Sequence, residues 1–517
     1  MSASKIDILI IGGGTAGWLA AGILAAELKK NSSGQITLVE SPNISTIGVG
    51  EGTWPTMRDT LRKIGVSEID FLVECDASYK QGTQFVNWKD NTESDNYYHP
   101  FAVPNGYFDA NLYAYWNEKQ KNIDFASAFA TQPKVCHAHK APKQLSTPEF
   151  AAVNNYGYHL DAGKFSAFLK KHCVEKLGVK YIADTITDII SDQEDYIHAV
   201  QTTQNGQLKA DLFIDCSGTH GVLIKQHFKI PFIDKSDVLF NDRAIAVQVG
   251  YPNSTYPIES ATISTAQKSG WIWDIGLSSR RGIGFVYSSQ HTNQQAAEET
   301  LLNYLLKSGS EKNIITEPRT IKILPGFHQQ FWHKNCVAIG MSAGFIEPLE
   351  ASALVLVELA AGMIREELPT TRETMAIVAK RFNNTFLYRW ERIIDFLKLH
   401  YILSQRRDSD YWIDQQDKSH QSDQLQELLK LWEFRSPSKN DFPQIQEIFP
   451  SASYQYILYG MGYKTTSKNI LNDKKSLATA EKYFFGNRKL TELHLSGLPT
   501  NRELLQKLKE RYSCNIK

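Results

Sequence analysis

The sequence lacks an excess of charge of either sign. Its 517 residues include 56 Lys and Arg and 56 Asp and Glu, so the formal net charge is zero. Proteins that bind nucleic acids neutralise phosphates with a basic surface. The charge balance therefore argues against a nucleic-acid partner.

Cysteine is also scarce. The six cysteines are scattered and form no CxxC pair, whereas disulfide frameworks and most zinc sites need paired ligands. This spacing predicts reduced thiols in a cytoplasmic protein. The string "CHAH" at 136–139 has no second ligand pair at suitable spacing. We therefore expect a loop there and predict no metal site.

Long hydrophobic runs are missing as well. The apolar segment 351–364 is too short to cross a bilayer and contains Glu358. The apolar start, residues 6–28, lacks the basic region that opens a signal peptide. We therefore expect a soluble protein without a membrane partner.

The N-terminal segment contains a nucleotide-binding pattern. The apolar run "IDILII" is typical of a buried parallel strand, and Gly12, Gly14 and Gly17 follow it with GxGxxG spacing. A helix is predicted after the glycines, and a second strand ends at Glu40. In such a β-α-β unit the phosphates of a dinucleotide lie at the helix N-terminus, and the acid accepts hydrogen bonds from the ribose.

Two later segments favour FAD over NAD, which GxGxxG alone does not distinguish. One is a strand over 212–215 that is followed by Gly218, and the other is a strand, a glycine turn at 340–344 and a long apolar helix. A chain that returns to its first sheet in this way can close around an extended dinucleotide. The N-terminus of the last helix, near residues 350–353, has free N–H groups that can bind an anion.

Six segments, in this order, are similar to those of one enzyme family. They are "GGGTAGW" at 12–18, "GVGEGTWPTMRDTL" at 48–61, "YKQGTQF" at 79–85, "GWIWDIGL" at 270–277, "GFIEPLEAS" at 344–352 and "LHYILSQRRDSDYW" at 399–412. On these segments the chain resembles the flavin-dependent tryptophan halogenases over most of its length. The resemblance implies an α/β fold: an FAD-binding Rossmann-like module of the GR2 flavoprotein type, interrupted by a substrate-side β and loop region and followed by a mostly helical C-terminal region.

The resemblance also implies an oxidoreductase activity. Reduced FAD, delivered by a separate NAD(P)H-dependent flavin reductase, activates O2 so that chloride or bromide is oxidised to hypohalous acid. This species crosses an internal tunnel and halogenates a small electron-rich aromatic compound, such as tryptophan or another indole. Two alternatives stay open, a flavin monooxygenase of the same fold and a non-catalytic flavin-binding protein.

The resemblance assigns two catalytic residues. Lys80 matches the essential lysine of the family, where an ammonium can donate a hydrogen bond to hypohalous acid and a neutral amine can form a haloamine. Glu350 matches the glutamate of the P-L-E segment, where a carboxylate can stabilise the cationic ring and remove its proton. Glu347 is a competitor for this role. Residue type alone predicts other roles. Lys80 would be a solvated lysine, and Glu347 or Glu350 would stabilise a helix N-terminus.

Ser352 and Ala353 lie where the family binds halide through backbone amides. The family often has Thr-Gly at these positions. The substitution keeps the backbone donors but narrows the space, so the halide preference stays open.

Trp271 and Trp273 stand two apart, and a strand places both on one face. In the family this pair keeps the organic substrate away from the flavin, while an ordinary core layer is the alternative. Gly276 stands where the family has proline. Because glycine does not fix φ, we expect a less constrained strand end here.

For the organic substrate, His99 and Phe101 resemble the family's indole-facing His-x-Phe, with ordinary packing as an equal alternative. Tyr454 and Tyr456 are candidates to close the chamber from the C-terminal side. The full set of cofactor candidates is Gly12, Gly14, Thr15, Ala16, Gly17, Glu40, Ile186, Gly218, Met341 and Leu354.

The domain organisation is predicted as two parts. Residues 1–370 are expected to form the flavin module, with substrate-side segments inserted at about 80–155 and 240–325. Residues 371–517 are expected to form a mostly helical substrate-chamber region, because the start of this region has helical periodicity. The polar stretch 413–442 is expected to contain loops.

Overall fold

The computed structural model of the protein describes residues 6–31, 34–44, 50–369, 371–466 and 474–515. Residues 48–49 of the "GVGEGTW" segment lie outside the described residues. So do residues 1–5 and 370 of the predicted flavin module and residues 516–517 of the predicted C-terminal region.

In chain order the strands are β1 (Ile8–Ile11), β2 (Ile36–Glu40), β3 (Gly50–Gly52), β4 (Ser78–Lys80), β5 (Gly82–Val86), β6 (Asn96–Pro100), β7 (Gly157–Asp161), β8 (Lys180–Ala183), β9 (Ile186–Ser191), β10 (Ile197–Thr202), β11 (Gly206–Leu208), β12 (Leu212–Asp215), β13 (Phe232–Asp234), β14 (Arg243–Gly250), β15 (Thr262–Gln267), β16 (Gly270–Gly276), β17 (Arg280–Tyr287), β18 (Arg319–Lys322), β19 (Gly326–His328), β20 (Trp332–His333), β21 (Cys336–Ala338) and β22 (Gly344–Phe345).

The α-helices are α1 (Thr15–Asn31), α2 (Thr56–Lys63), α3 (Glu68–Glu74), α4 (Leu112–Lys119), α5 (Phe125–Phe129), α6 (Gln132–His137), α7 (Ala162–Glu175), α8 (Gln294–Lys307), α9 (Ala353–Glu366), α10 (Arg372–Ile402), α11 (Asp410–Gln415), α12 (Asp423–Trp432), α13 (Ser451–Gly460), α14 (Lys474–Gly497) and α15 (Asn501–Asn515).

The chain forms two compact units. Unit 1 takes its described residues from Met1–Ala77, Leu160–Lys235 and Leu324–Trp390, and unit 2 from Ser78–His159, Ser236–Ile323 and Glu391–Lys517. Each unit is thus assembled from three separate segments. The division into residues 1–370 and 371–517 stays a prediction.

A six-stranded sheet forms the centre of unit 1, in the order β20-β21-β12-β1-β2-β8. The strands from β21 to β8 are parallel, and β20 pairs antiparallel with β21. β1 is buried at every position, as is typical of a parallel strand that is covered on both faces. Helix α1 packs against α7 and α9. This parallel sheet confirms the predicted α/β fold with a Rossmann-like core.

A seven-stranded sheet forms the centre of unit 2, in the order β18-β14-β17-β16-β15-β5-β6. Neighbouring strands are antiparallel except at the β15–β5 pair, which is parallel. Side chains alternate along β16, so Trp271 and Trp273 point to one face and Ile272 and Asp274 to the other. Ile272 belongs to an apolar core that also contains side chains of β14, β17 and α8.

Strand β16 continues through Gly276, which pairs with Arg281 of β17. The carbonyl oxygen of Gly276 also accepts a hydrogen bond from the hydroxyl of Ser78. These bonds hold the strand end in place. The expectation of a strand end that is less constrained than with proline stays a prediction.

The expectation of a loop at "CHAH" was also wrong in part. Cys136 and His137 end helix α6, and His139 follows with a φ of 52°. Cys136 is buried and His137 is exposed. Among the described residues, no group of three or more His, Cys, Asp and Glu side chains has the arrangement of a metal site.

The chain from Arg372 onward is mostly helical, with α10 to α15 as its main elements, which confirms that part of the predicted fold. The polar stretch 413–442 contains loops and also helix α12. Leu425, Leu428 and Trp432 are the buried residues of α12. None of the described helices is both long and apolar enough to span a lipid bilayer.

Gly284 of β17 gives space to the ring of Trp273. The two residues are partners in the β16–β17 register, and a Cβ on Gly284 would lie 2.1 Å from Trp273 Cζ2. Trp273 is only 7% exposed, so its ring has little room to move away.

We expect Gly284→Ala to lower the free energy of unfolding by about 1–3 kcal/mol, because overpacking a closed core forces side chains out of their rotamers. The measurement is urea denaturation followed by tryptophan fluorescence. Gly362→Ala is the matched control, since no atom lies within 4 Å of a Cβ on this α9 glycine. It should preserve the stability or raise it by up to about 1 kcal/mol. Equal midpoints for Gly284→Ala and the parent protein would contradict the packing argument.

Helix α9 of unit 1 carries a buried acid, Glu358. Its carboxylate accepts hydrogen bonds from the hydroxyls of Thr56, at 2.9 Å, and Thr60, at 2.5 Å. Burial raises the pKa of Glu358 to about 7, although the two hydroxyl donors oppose this shift. The unfolded chain ionises this group near its ordinary pKa of 4.5, whereas the folded chain keeps the proton until about pH 7. Folding stability therefore falls as the pH rises through this window.

We expect Glu358→Gln to be more stable than the parent protein at about pH 8 and to lose this advantage towards about pH 5. The difference in unfolding free energy between Glu358→Gln and the parent protein should increase by up to about 3 kcal/mol from about pH 5 to about pH 8. Melting temperatures across this pH range measure it. Glu366→Gln, on the same helix but with a side chain 68% exposed, controls for the loss of a glutamate. Parallel pH curves for Glu358→Gln and the parent would contradict the assignment.

Candidate active site

Three adjacent parallel strands of unit 1 end in glycine turns. Gly12 follows β1, Gly218 follows β12 and Gly340 follows β21, and their φ values are 110°, 67° and 74°. A Cβ on Gly12 would lie 2.2 Å from the carbonyl oxygen of Cys216. The turn after β1 thus requires glycine for both its backbone angle and its packing.

Helix α1 starts directly behind this turn. The N–H of Trp18 donates to the carbonyl of Gly14, and a Cβ on Gly17 would lie 1.9 Å from the carbonyl oxygen of Gly12. No atom lies within 4 Å of a Cβ on Gly14, so the space beside it is open. Thr15 and Ala16 lie in the first turn, where the N–H groups have no partner within the helix. This space can hold a phosphate at a partly positive helix end.

Glu40 ends β2, the neighbour of β1, and its carboxylate occupies the space beside Gly13. A Cβ on Gly13 would lie between 2.2 and 2.6 Å from the carboxyl atoms of Glu40. Lys170 Nζ lies 3.1 Å from Glu40 Oε2 and 3.7 Å from the ring centroid of Tyr181. This ion pair and ring contact hold the carboxylate beside the glycine turn, where it can accept hydrogen bonds from a ribose.

The remaining cofactor candidates lie in unit 1 as well. Ile186 begins β9 and packs against a core cluster that contains Leu9 and Ile11 of β1. Met341 lies in the turn after β21, and Leu354 is a buried residue in the first turn of α9. Together with the open space at Gly14, these positions fit a dinucleotide that extends along the carboxyl ends of the parallel strands.

The segment before α9 has an unusual backbone. Glu350 and Ala351 have φ values of 64° and 55°, in the left-handed region that non-glycine residues rarely adopt. The indole N–H of Trp54 donates to the carbonyl of Glu350 at 2.8 Å. Ser352 precedes α9 without a side-chain cap, and Ala353 begins the helix. This segment presents the N–H groups of the α9 N-terminus, which can bind an anion.

Both acids of the "EPLE" string are buried. Glu347 is 1% exposed and Glu350 is 5% exposed. Their burial therefore does not distinguish Glu347 from Glu350 as the residue that accepts the proton of the ring.

Lys80 ends strand β4 of unit 2 and is 1% exposed. Its ammonium lies 5.3 Å from the ring centroid of Phe101. The solvated lysine that residue type alone would favour is therefore excluded. Sequence reasoning missed a neighbour, His159, whose Nε2 lies 2.8 Å from the hydroxyl of Thr262. Burial, reinforced by the charge of Lys80, holds the pKa of His159 well below its ordinary value, so this ring is neutral.

His99 lies in an aromatic pocket of unit 2. Its ring centroid is 5.6 Å from that of Phe396 and 6.3 Å from those of Phe449 and Tyr456. Tyr456 was expected near this chamber, but Phe396 and Phe449 were not. The contacts of Tyr454 include Phe396, Phe442 and Trp432, at 4.9, 4.8 and 5.2 Å. No sequence signal distinguishes Phe396 from the other apolar residues of α10.

The tryptophan pair lies side by side, with centroids 6.4 Å apart. Trp271 also contacts Trp88 at 6.2 Å, within an aromatic layer that includes Phe85. Trp271 is 1% exposed, and Trp273 packs over Gly284. Trp271 thus belongs to the core of unit 2. The role of the pair as a barrier between substrate and flavin stays a prediction.

Comparison with known proteins identifies the family. A family model described as tryptophan halogenase matches residues 7–476. Tryptophan 7-halogenase RebH from Lentzea aerocolonigenes is 32% identical, with 89% of this chain and 90% of RebH covered.

Solved structures agree with this result. A tryptophan halogenase from Shewanella frigidimarina NCIMB 400 matches with a TM-score of 0.94 and 45% identity, over 99% of this chain and 98% of that protein. Tar14, a tryptophan C-6 flavin-dependent halogenase (chlorinase) from taromycin biosynthesis, matches with a TM-score of 0.89 and 30% identity, over 98% and 100%. The family predicted from the six sequence segments is therefore confirmed. Since both the family model and the fold match along nearly the whole chain, this protein belongs to the tryptophan halogenase family.

Proposed function

We propose that this enzyme is an FAD-dependent halogenase, which uses reduced FAD, O2 and chloride or bromide to halogenate an electron-rich aromatic compound such as tryptophan or another indole. The observation that carries the proposal is the buried ammonium of Lys80 beside Phe101, in a family whose members include tryptophan 7-halogenase RebH. Moving an ammonium out of water costs free energy, so a chemical role explains why Lys80 is buried here.

The flavin side of the proposal rests on unit 1. Gly12, Gly14 and Gly17 would hold the pyrophosphate with the N-terminus of α1, and Glu40 would bind the ribose. Thr15, Ala16, Ile186, Gly218, Met341 and Leu354 would line the rest of the cofactor. When bound, reduced FAD supplies the electrons that activate O2 for halide oxidation. The backbone N–H groups at Ser352 and Ala353 would bind the halide.

On the substrate side, Lys80 would donate a hydrogen bond to the oxygen of hypohalous acid. This makes the halogen more electrophilic, because the departing hydroxide is stabilised. The ring carbon then forms a bond to the halogen, and the ring loses its proton. Glu350 would accept that proton, and the proton and the hydroxide give water. His99, Phe101 and Tyr456 would hold the aromatic ring, and Trp271 and Trp273 would wall it off from the flavin.

We also propose a separate NAD(P)H-dependent flavin reductase as partner. The sequence contains one GxGxxG motif, and the FAD would occupy it, so no second motif of this kind is left to bind NAD(P)H. The six cysteines are free thiols, and five of them are buried. Thiols in this state support a reducing compartment, which we take to be the cytoplasm.

We expect Lys80→Ala and the more isosteric Lys80→Met to lower halogenation at least about 100-fold while FAD binding is retained, since only the activation of hypohalous acid is lost. The measurement is mass spectrometry of reactions with FAD, a flavin reductase, NADH, O2 and either bromide or chloride, on tryptophan, indole and larger indoles. Lys134→Ala, at an exposed position of α6, is the matched control.

Full halogenation by a folded Lys80 variant would reject the proposed role. Oxygenated product that forms without halide would instead identify a monooxygenase.

We expect Gly13→Ala to weaken FAD binding at least about 10-fold, because its Cβ displaces the carboxylate of Glu40. Quenching of flavin fluorescence measures the dissociation constant. The same substitution in a Glu40→Ala background should have a smaller effect, since the group it displaces is gone. Additive effects of the two substitutions would contradict the assignment of Glu40 to the ribose.

A further inference from the structure

Unit 2 contains a cavity on the face of the seven-stranded sheet opposite to His99 and Trp273. Its volume is about 460 Å³, which lies in the range of small-molecule sites. Tyr98 and Asp274 line it, and each is the chain neighbour of a residue that faces the other side. Because side chains alternate along a strand, the sheet itself separates this cavity from the proposed halogenation chamber.

Two polar side chains on the cavity floor have unused hydrogen-bonding capacity. Gln84 of β5 and Tyr98 of β6 are partners in the strand register, and both line the cavity. Tyr98 is 7% exposed. In the part of the chain that the structure describes, no residue forms a hydrogen bond with the Tyr98 hydroxyl or the Gln84 amide. Burial raises the pKa of Tyr98, so its hydroxyl stays protonated and can donate. Tyr98 is buried and Gln84 is half-buried, and both line the cavity, so the pair can bind a polar group of a ligand.

The wall contains a buried ion pair, and a carboxylate lies at the rim. Arg281 Nε donates to Asp274 Oδ1 at 2.9 Å, and Tyr304 donates to the same carboxylate at 3.0 Å. This buried pair therefore adds no net charge. At the rim, the Glu259 carboxylate, with its side chain 37% exposed, lies 3.2 Å from His139 Nδ1. At a pH where His139 is neutral, Glu259 leaves one negative charge at the mouth of the cavity.

Aromatic rings form the remaining wall. Tyr251 and Tyr256 line the cavity with centroids 5.7 Å apart. The guanidinium of Arg502 lies 4.4 Å from the Tyr251 centroid and donates to the carbonyl oxygens of Tyr256 and Ser278. These two hydrogen bonds hold the guanidinium of Arg502 against the wall of the cavity. Tyrosine faces beside a carboxylate are an environment that favours an organic ammonium ion.

We propose that this cavity binds an arylalkylamine: its planar ring packs against the tyrosines, a polar ring substituent bonds to Tyr98 and Gln84, and its ammonium pairs with Glu259. The site is additional to the halogenation chamber and does not depend on the proposed halogenase activity.

The test is isothermal titration calorimetry of the full-length protein at about pH 8.5, because the hydrogen bond to Glu259 raises the pKa of His139 above its ordinary value. The probe is tyramine, and the matched compounds are 4-ethylphenol, which is neutral, 3-(4-hydroxyphenyl)propionate, which is anionic, and 2-phenylethylamine, which lacks the ring hydroxyl. Tyramine should bind at least about 10-fold more tightly than the neutral and anionic compounds.

Two variants locate the binding site. Glu259→Gln should weaken tyramine binding at least about 10-fold, and Tyr98→Phe should weaken it at least about 3-fold while binding of 2-phenylethylamine stays unchanged. His99→Ala, on the other face of the sheet, should leave tyramine binding unchanged. Glu118→Gln controls for removal of an exposed carboxylate in unit 2.

The proposal is overturned if tyramine does not bind, if the anionic compound binds as tightly, or if binding is lost in His99→Ala but kept in Glu259→Gln. Circular dichroism and melting temperatures establish that each variant is folded. If Glu259→Gln is unfolded, the contrast between tyramine and 2-phenylethylamine in Tyr98→Phe decides.

Discussion

Backbone atoms meet without a side chain between them where β1 leaves the parallel sheet. The carbonyl oxygen of Cys216 fills the place of a Cβ on Gly12, and the carbonyl oxygen of Gly12 fills that of a Cβ on Gly17. These two contacts draw β1, the loop after β12 and the start of α1 together. The free N–H groups of α1, the open space at Gly14 and the carboxylate of Glu40 all owe their positions to this close approach. A single methyl group at either glycine would separate the elements that the flavin site needs.

Much of this core could be predicted, because local pattern and tertiary position agree there. The run "IDILII" is apolar throughout since β1 is covered on both faces, and the glycines after it have a spacing that few other turns require. Helix α10 was equally visible from its periodicity. Helix α12 was not, although Leu425, Leu428 and Trp432 have helical spacing, because polar residues dominate its composition.

On the substrate side, the candidate site could be predicted only where a resemblance supplied it. Lys80 has no local feature that separates it from a surface lysine, and its burial depends on strands from distant parts of the chain. His159, Phe396 and Phe449 were missed for the same reason. Each reaches its site through tertiary packing, and each residue type is ordinary in its own element. The cavity on the other face of the unit 2 sheet could not be predicted either. Alternation along β16 shows that Trp273 and Asp274 face opposite sides, but the residues that surround Asp274 come from distant segments of the chain.

The left-handed backbone at Glu350 and Ala351 has a consequence for engineering. Each non-glycine residue in this region costs roughly 1–3 kcal/mol, which the surroundings must offset. Here the carbonyl of Glu350 is held by the indole of Trp54, so a bulky side chain from another segment supports the strained loop. A variant library that raises the melting temperature through the helical C-terminal region would leave this local support untouched. Glycine at position 351 would relieve part of this cost, because glycine adopts the left-handed region without a Cβ penalty.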